Sequence, residues 1–165
     1  MKSIAPRAFA DEKILILHDI RSALNVGALF RTADAVGIDH IYLSSTTPAP
    51  IDRFGRADAR IAKTALGAEG TIVWEQYDDI QKLLGVLQRQ GAMVVAIEQA
   101  PRAIDYKEAK IQLPVAFVLG NEVNGVPRAV LHMSDIVAAI PMEGKKESLN
   151  VAVAGGVALF RMLGV

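Results

Sequence analysis

The chain contains no cysteine. That absence excludes a disulfide frame, a thiolate nucleophile and a cysteine-ligated zinc site, and it agrees with a cytoplasmic protein. It also lacks an excess of either charge, since 18 Lys+Arg balance 18 Asp+Glu. Nucleic-acid proteins usually carry a basic excess, so any polyanion site here must be a local patch. Aromatic residues are scarce, at 5%, which argues against an aromatic stacking platform of the kind found in single-strand binders. No apolar run approaches the roughly 18 residues that a membrane span needs. Asp11, Glu12 and Lys13 interrupt the N-terminal region, and the apolar run 14–17 is too short for the core of a signal peptide. The three histidines, His18, His40 and His132, lie far apart without the carboxylate pattern of a metal site, so no metal is expected.

What is present is apolar: 52% of 165 residues. This suffices for one real core, and residues 1–165 read as a single domain in which 1–12 form a short N-terminal segment. Neither a repeat nor a low-complexity linker interrupts it. Short β-branched runs alternate with helical patterns. Strands are expected over 13–19, 40–44, 71–74, 93–97, 115–119 and 136–140. Helices are expected over 22–36, 56–66, 78–90, 127–133 and 148–163, with a loop over 46–55. The alternation predicts an α/β fold, a mostly parallel sheet with helices on both faces. Wholly apolar strands such as 115–119 fit burial on both sides. Ligands of such sheets sit beyond the carboxyl ends of the strands, which directs attention to the loops after Asp19, Ile97, Leu119 and Ile140. The last helix is apolar on every face and must be buried, either as the central helix of a monomer or against a second copy of the chain. Gly155-Gly156 in its middle costs stability and suggests close backbone packing.

Three loops carry possible chemistry. The first runs from Asn25 through Gly27 to Arg31-Thr32-Ala33. Arg31, a lone cation in an apolar helix, either extends into solvent or meets an anion. The second is Gly120-Asn121-Glu122-Val123-Asn124-Gly125, where two glycines allow tight turns and close approach to a ligand. Its spacing hints at a phosphate loop, but Val126 and Pro127 stand where that motif requires Lys and Ser or Thr. Glu122 would in addition repel a phosphate. The third is Ile140-Pro141-Met142, followed by Ser148-Leu149-Asn150. Ser148 is placed to cap the last helix, which leaves Asn150, a mediocre helix former, unexplained. No nucleophile elbow and no dinucleotide-binding glycine motif occur. A fourth feature is electrostatic. Arg53, Arg56, Arg60 and Lys63 follow spacings of three, four and three, which on a helix makes one basic stripe, beginning in the loop just before it. It is either a polyanion footprint or a solvated face.

Taken together, the three loops resemble the SpoU/TrmH family of RNA 2′-O-methyltransferases, within the SPOUT superfamily. The family's motifs are matched in order by Asn25, Gly27 and Arg31-Thr32-Ala33, by Gly120-Asn121-Glu122, and by Ile140-Pro141-Met142 with Ser148-Leu149-Asn150-Val151. The match covers nearly the whole chain. It implies a C-terminal trefoil knot, a homodimer, and a metal-free site for S-adenosylmethionine. It implies cofactor contacts from Leu119, Gly120, Asn121, Gly125, Ile140, Pro141, Met142, Ser148, Leu149 and Asn150, with Ile97 and Glu98 lining the same crevice. It also implies transfer to a ribose 2′-hydroxyl of tRNA or rRNA, with Arg31, Glu122, Ser148 and Asn150 as catalytic candidates: Arg31 activates the hydroxyl, Ser148 or Asn150 bonds to its guanidinium to place it, and Glu122 either pairs with Arg31 or orients its loop. Asn25, Arg31 and the stripe Arg53, Arg56, Arg60 and Lys63 are then the RNA-binding candidates. The separate RNA-binding domain that the family often carries has no counterpart in this sequence. The competing expectation is a non-catalytic RNA-binding or assembly factor that retains the fold.

Overall fold

The computed structural model describes residues 9–165; most of the expected N-terminal segment, residues 1–8, lies outside them. In chain order the elements are β1 (Lys13–Leu17), α1 (Ala23–Val36), β2 (His40–Ser44), α2 (Ala59–Ala65), β3 (Val73–Tyr77), α3 (Ile80–Arg89), β4 (Met93–Ile97), β5 (Ile104–Asp105), β6 (Val115–Leu119), α4 (Arg128–Met133), β7 (Ile136–Ala139) and α5 (Val151–Leu163). The strands form one sheet in the order β3-β2-β1-β6-β4-β7-β5, and each neighbouring pair is parallel. All carboxyl ends therefore leave the same edge.

Alternate side chains of the central strands enter two separate cores, as the period of two in a strand requires. Leu15, Leu17, Phe117, Leu119 and Val95 pack with Leu29 and Phe30 of α1 and Ala158 and Leu159 of α5. Ile14, Ile16, Ala116, Val118 and Val94 pack with Leu84 of α3 and Val130 of α4. This two-sided burial is why those strands read as unbroken apolar runs. Among the described residues no helix is long and apolar enough to cross a membrane.

Several boundaries move for local reasons. Strand β1 stops at Leu17 because Asp19 adopts a left-handed backbone, φ 54°. Helix α2 begins at Ala59, not at residue 56, because Asp58 caps it through the Arg60 N–H. Strand β3 runs on through Glu75, Gln76 and Tyr77, since one flank of an edge strand is solvated and tolerates polar residues. The two-residue strand β5 is too short to give a sequence signal. Helix α5 is capped by Asn150, whose carboxamide oxygen accepts from the N–H groups of Ala152 and Val153; the expected cap, Ser148, lies two residues too early.

The close packing expected at Gly155 is present. A Cβ there would lie 2.7 Å from Leu29 Cδ2 and 2.9 Å from Leu119 Cδ1. The other expectation for α5, burial on every face, does not hold within one chain. Val153, Val157 and Phe160 are 52%, 38% and 40% exposed, so α5 is not the central helix of a monomeric core.

Candidate functional site

The carboxyl ends of β4, β6 and β7 open into a crevice of about 580 Å³, within the range of small-molecule sites. Its lining includes Ile97 and Glu98 after β4, the turn Leu119–Gly125 after β6, Ile140 after β7, and Ser148 and Leu149 before α5. Nine of the expected cofactor residues therefore meet around one space. Pro141, Met142 and Asn150 do not line it.

The 120–125 turn is built by its own side chains. Asn121 Oδ1 accepts from the N–H groups of Val123 and Asn124, each at 2.9 Å. Asn121 Nδ2 donates across to the Asp19 carbonyl at 2.8 Å. Gly120 has no room for a side chain, since a Cβ would lie 2.4 Å from the Gly125 carbonyl carbon. Gly125 has φ +67°, and its Cβ would meet Glu98 Oε2 at 2.2 Å. Glu98 ties two walls together, accepting from the N–H of Val126 at 2.7 Å and of Gln99 at 2.7 Å. Gln99 Nε2 in turn donates to the Ile140 carbonyl at 2.6 Å.

At the mouth of the crevice the three motifs join. Glu122 accepts from the N–H groups of Arg21 at 2.9 Å and Ser22 at 3.0 Å, and from Asn25 Nδ2 at 3.1 Å. Asn25 Oδ1 accepts from Asn150 Nδ2 at 3.2 Å. An ionised carboxylate only accepts, so it fixes the amide orientation of Asn25. The α5 N–H groups fix that of Asn150 in the same way. Burial pushes the Glu122 carboxyl up, but the N–H donors of Arg21 and Ser22 outweigh it and hold it below its usual value. Glu122 is therefore favoured as the carboxylate that braces the start of α1, and it makes no bond to Arg31.

Arg31 projects from α1 into solvent without a hydrogen bond or ion pair to a described residue, and it lies outside the crevice lining. The expected bonds from Ser148 or Asn150 to its guanidinium are absent, because Asn150 is committed to Asn25 and to the end of α5. The basic residues are likewise rearranged. Arg53 sits in the loop before α2, as expected, but Arg56 lies in that turn too, so only Arg60 and Lys63 share a helix. Arg56 is paired with Asp52 at 2.8 Å and Arg60 with Asp58 at 2.7 Å. The stripe is a mixed loop-and-helix patch, half neutralised by its own neighbours.

The sequence reading missed Gln99, Ala100, Pro101, Arg102, Arg128, Leu131 and His132, all of which line the crevice. For residues 99–102 a signal existed, since a polar, proline-containing segment follows the carboxyl end of β4. The residues on α4 gave none, because only tertiary packing brings that helix to the rim. Arg102 lies there because its guanidinium donates to the carbonyls of Leu131 and Ser134. No group of residues able to hold a metal ion occurs among those described.

Such a crevice, at one edge of a parallel sheet and walled by glycine turns, suits a nucleotide-like cofactor. Residues 12–160 match the model of the SpoU rRNA Methylase family, and the chain belongs to that family. It is 34% identical over 147 residues to the 23S rRNA (guanosine-2′-O-)-methyltransferase RlmB of Ralstonia nicotianae, a match covering 89% of this chain and 56% of that protein. The AdoMet-bound rRNA methyltransferase of Sinorhizobium meliloti superposes with a TM-score of 0.82 at 29% identity, over 96% of this chain and 57% of that one. A structure giving insights into the 2-OH methylation of C/U34 on tRNA superposes at 0.73 with 27% identity, over 97% and 91%. This chain thus spans little more than half the length of curated relatives that it matches.

Proposed function

We propose that this chain transfers a methyl group from S-adenosylmethionine to a ribose 2′-hydroxyl of tRNA or rRNA, in the cytoplasm and without a metal. The observation that carries the reading is the Glu122–Asn25–Asn150 junction, where all three motifs of the family lock together at the mouth of one crevice. The crevice fits the cofactor in volume and in chemistry. Its walls include Leu119, Gly120, Ile140 and Leu149, whose backbones would read the adenine edge, together with the apolar residues Ile97, Leu131 and Val151. Pro141 and Met142 would serve by holding the course of the backbone after β7. The cofactor supplies an activated methyl group on a sulfonium.

The chain's own work is positioning and electrostatics. A guanidinium stays protonated at neutral pH, so Arg31 acts as a fixed cation. It binds the phosphate beside the target ribose and stabilises the oxygen as the 2′-hydroxyl proton passes to solvent water and the methyl group leaves the sulfonium for that oxygen. Ser148 lines the crevice and supplies a hydroxyl that can hydrogen-bond the ribose. Asn25 and Asn150 join the start of α1, which carries Arg31, to the start of α5, which follows the segment bearing Ser148.

The open stripe of Val153, Val157 and Phe160 on α5 supports a homodimer, with that stripe as part of the contact. The family's trefoil knot is proposed for the segment from β6 to α5. Its support is the central place of β6 in the sheet and the likeness to the Sinorhizobium fold.

The test begins with calorimetric titration of S-adenosylmethionine, using NADH and ATP as controls. Labelled cofactor is then incubated with total RNA and the modified ribose is mapped. Saturable binding of this cofactor alone, followed by label in a ribose 2′-position, is the expected result. RNA binding without any methyl transfer would replace the reading with a non-catalytic RNA-binding factor.

A further inference from the structure

The turn between β2 and α2 presents one aromatic ring at its tip. Phe54 is 66% exposed, yet the backbone around it is ordered by hydrogen bonds. Asp52 Oδ1 accepts from the N–H groups of Phe54 at 2.8 Å and Arg56 at 3.0 Å. The Gly55 N–H reaches the Asp52 carbonyl at 2.9 Å, with Gly55 at φ +78°. Ile51 and Ala57 pair as an antiparallel bridge, and the Asp58 N–H closes on the Pro50 carbonyl at 3.0 Å. The ring is therefore held out from the surface by a preformed turn. Single exposed apolar residues are common on surfaces; a ring presented at the tip of such a turn and flanked by cations is not.

Two guanidiniums accompany the ring, with Arg53 Cζ 4.8 Å and Arg56 Cζ 5.1 Å from its centroid. They differ in freedom. Both Nε and a terminal nitrogen of Arg56 are held by Asp52 at 2.8 Å. Arg53 has no acidic partner among the described residues. The turn leaves the carboxyl end of β2, and the parallel sheet sends every such end to the edge that also bears the crevice.

We propose that Phe54, with Arg56 fixed beside it, is a stacking platform for an unpaired nucleobase of the RNA substrate, and that Arg53 takes a phosphate next to that base. The inference rests on the methyltransferase reading for its substrate. Charge decides the occupant. A second copy would bring its own uncompensated Arg53 against this one, since Arg56 is already neutralised by Asp52, whereas a nucleotide supplies both a π-face for the ring and an anion for Arg53. The low aromatic content rules out a platform of many rings but leaves room for a single one.

The experiment uses a 12-nucleotide oligoadenylate carrying a central 2-aminopurine, and a blunt 12-base-pair RNA duplex, with the full chain and its F54A, F54L and F54W variants. The wild type is expected to prefer the single strand and to quench the 2-aminopurine on binding. F54A and F54L should bind the strand about tenfold more weakly and lose the quench, while F54W retains both. F54L separates stacking from mere apolar bulk, and melting temperatures like that of the wild type show that the variants fold. Unchanged affinity and quench in F54L would overturn the proposal. So would equal affinity of the wild type for strand and duplex, or no binding of the strand. Failure of the underlying reading shows separately, as lack of S-adenosylmethionine binding in the same preparation.

Discussion

Glu122 at the crevice and Asp52 in the β2–α2 turn are both carboxylates that accept two backbone N–H groups, but they differ in reach. Glu122 binds Arg21, Ser22 and Asn25, about a hundred residues away in the chain. Asp52 binds Phe54 and Arg56, two and four residues on. The crevice is thus assembled by contacts that exist only in the folded molecule, whereas the turn orders itself. A change at the crevice should spread to cofactor binding and stability together. A change in the turn should stay local and be felt only by RNA.

The largest effect is expected at Arg31, which belongs to the crevice motifs but to neither network. Arg31→Ala should lower methyl transfer by about a hundredfold or more while cofactor affinity, read by calorimetry, stays unchanged. Wild-type turnover in that variant would remove Arg31 from the chemistry.

A matched pair of glycines breaks the comparison directly. Gly120→Ala places a Cβ 2.4 Å from the Gly125 carbonyl carbon and 2.5 Å from its oxygen. Both are backbone, so the turn must open, and cofactor affinity should fall at least about tenfold, with a drop in melting temperature. Gly55→Ala meets nothing within 4 Å and only the strain of φ +78°. It should cost about 1 kcal/mol, or roughly 2–4 °C, and leave cofactor binding untouched. If Gly55→Ala also abolished cofactor binding, the two regions would not be independent.

Charge reversal of Arg56 and Arg60 should weaken RNA binding and flatten its salt dependence, again with cofactor affinity unchanged. An unmoved salt slope would make the patch an ordinary solvated face. Smaller still is the coupling inside the junction. Asn150→Ala removes the α5 cap, worth about 1 kcal/mol. Combined with Glu122→Gln, it should depart from additivity by about 0.5 kcal/mol or more, because both act on Asn25. Denaturant titrations of the two single variants and the double variant measure this.

The smallest prediction concerns pH. The His18 ring is half-buried, with Nδ1 at 2.7 Å from the Tyr77 hydroxyl and Nε2 at 3.4 Å from Asp19. Burial lowers its pKa below the ordinary value, against the opposing pull of Asp19. The unfolded chain therefore takes up the proton first. The contribution is complete above about pH 6.5 and is lost as pH falls through the lowered folded value. The fall in melting temperature between about pH 7.5 and 5.5 should be smaller in His18→Gln than in the wild type.

How much of this was legible follows the same division by reach. The strands 93–97 and 115–119 read correctly because two-sided burial writes itself as an unbroken apolar run. Helix α1 read correctly because Ser22 and Gly37 punctuate it. The start of α2 was misread because the arginine spacing matched a helix more obviously than Asp58 announced a cap. Ser148 was taken for the cap of α5 because a hydroxyl before an apolar run is the commoner signal. Asn150 holds that place because one carboxamide both caps α5 and meets Asn25.

By itself the sequence determined the alternation of strands and helices, the parallel sheet, the family and the loops that carry its motifs, since each depends on residues adjacent in the chain. Only the tertiary structure decided that Glu122 braces α1 rather than meeting Arg31, that Asn25 and Asn150 touch, and that Arg102, Leu131 and His132 border the crevice. These are pairings across many intervening residues. No local pattern encodes them, because the free energy that fixes them is gained only once the sheet has brought its carboxyl ends to a common edge.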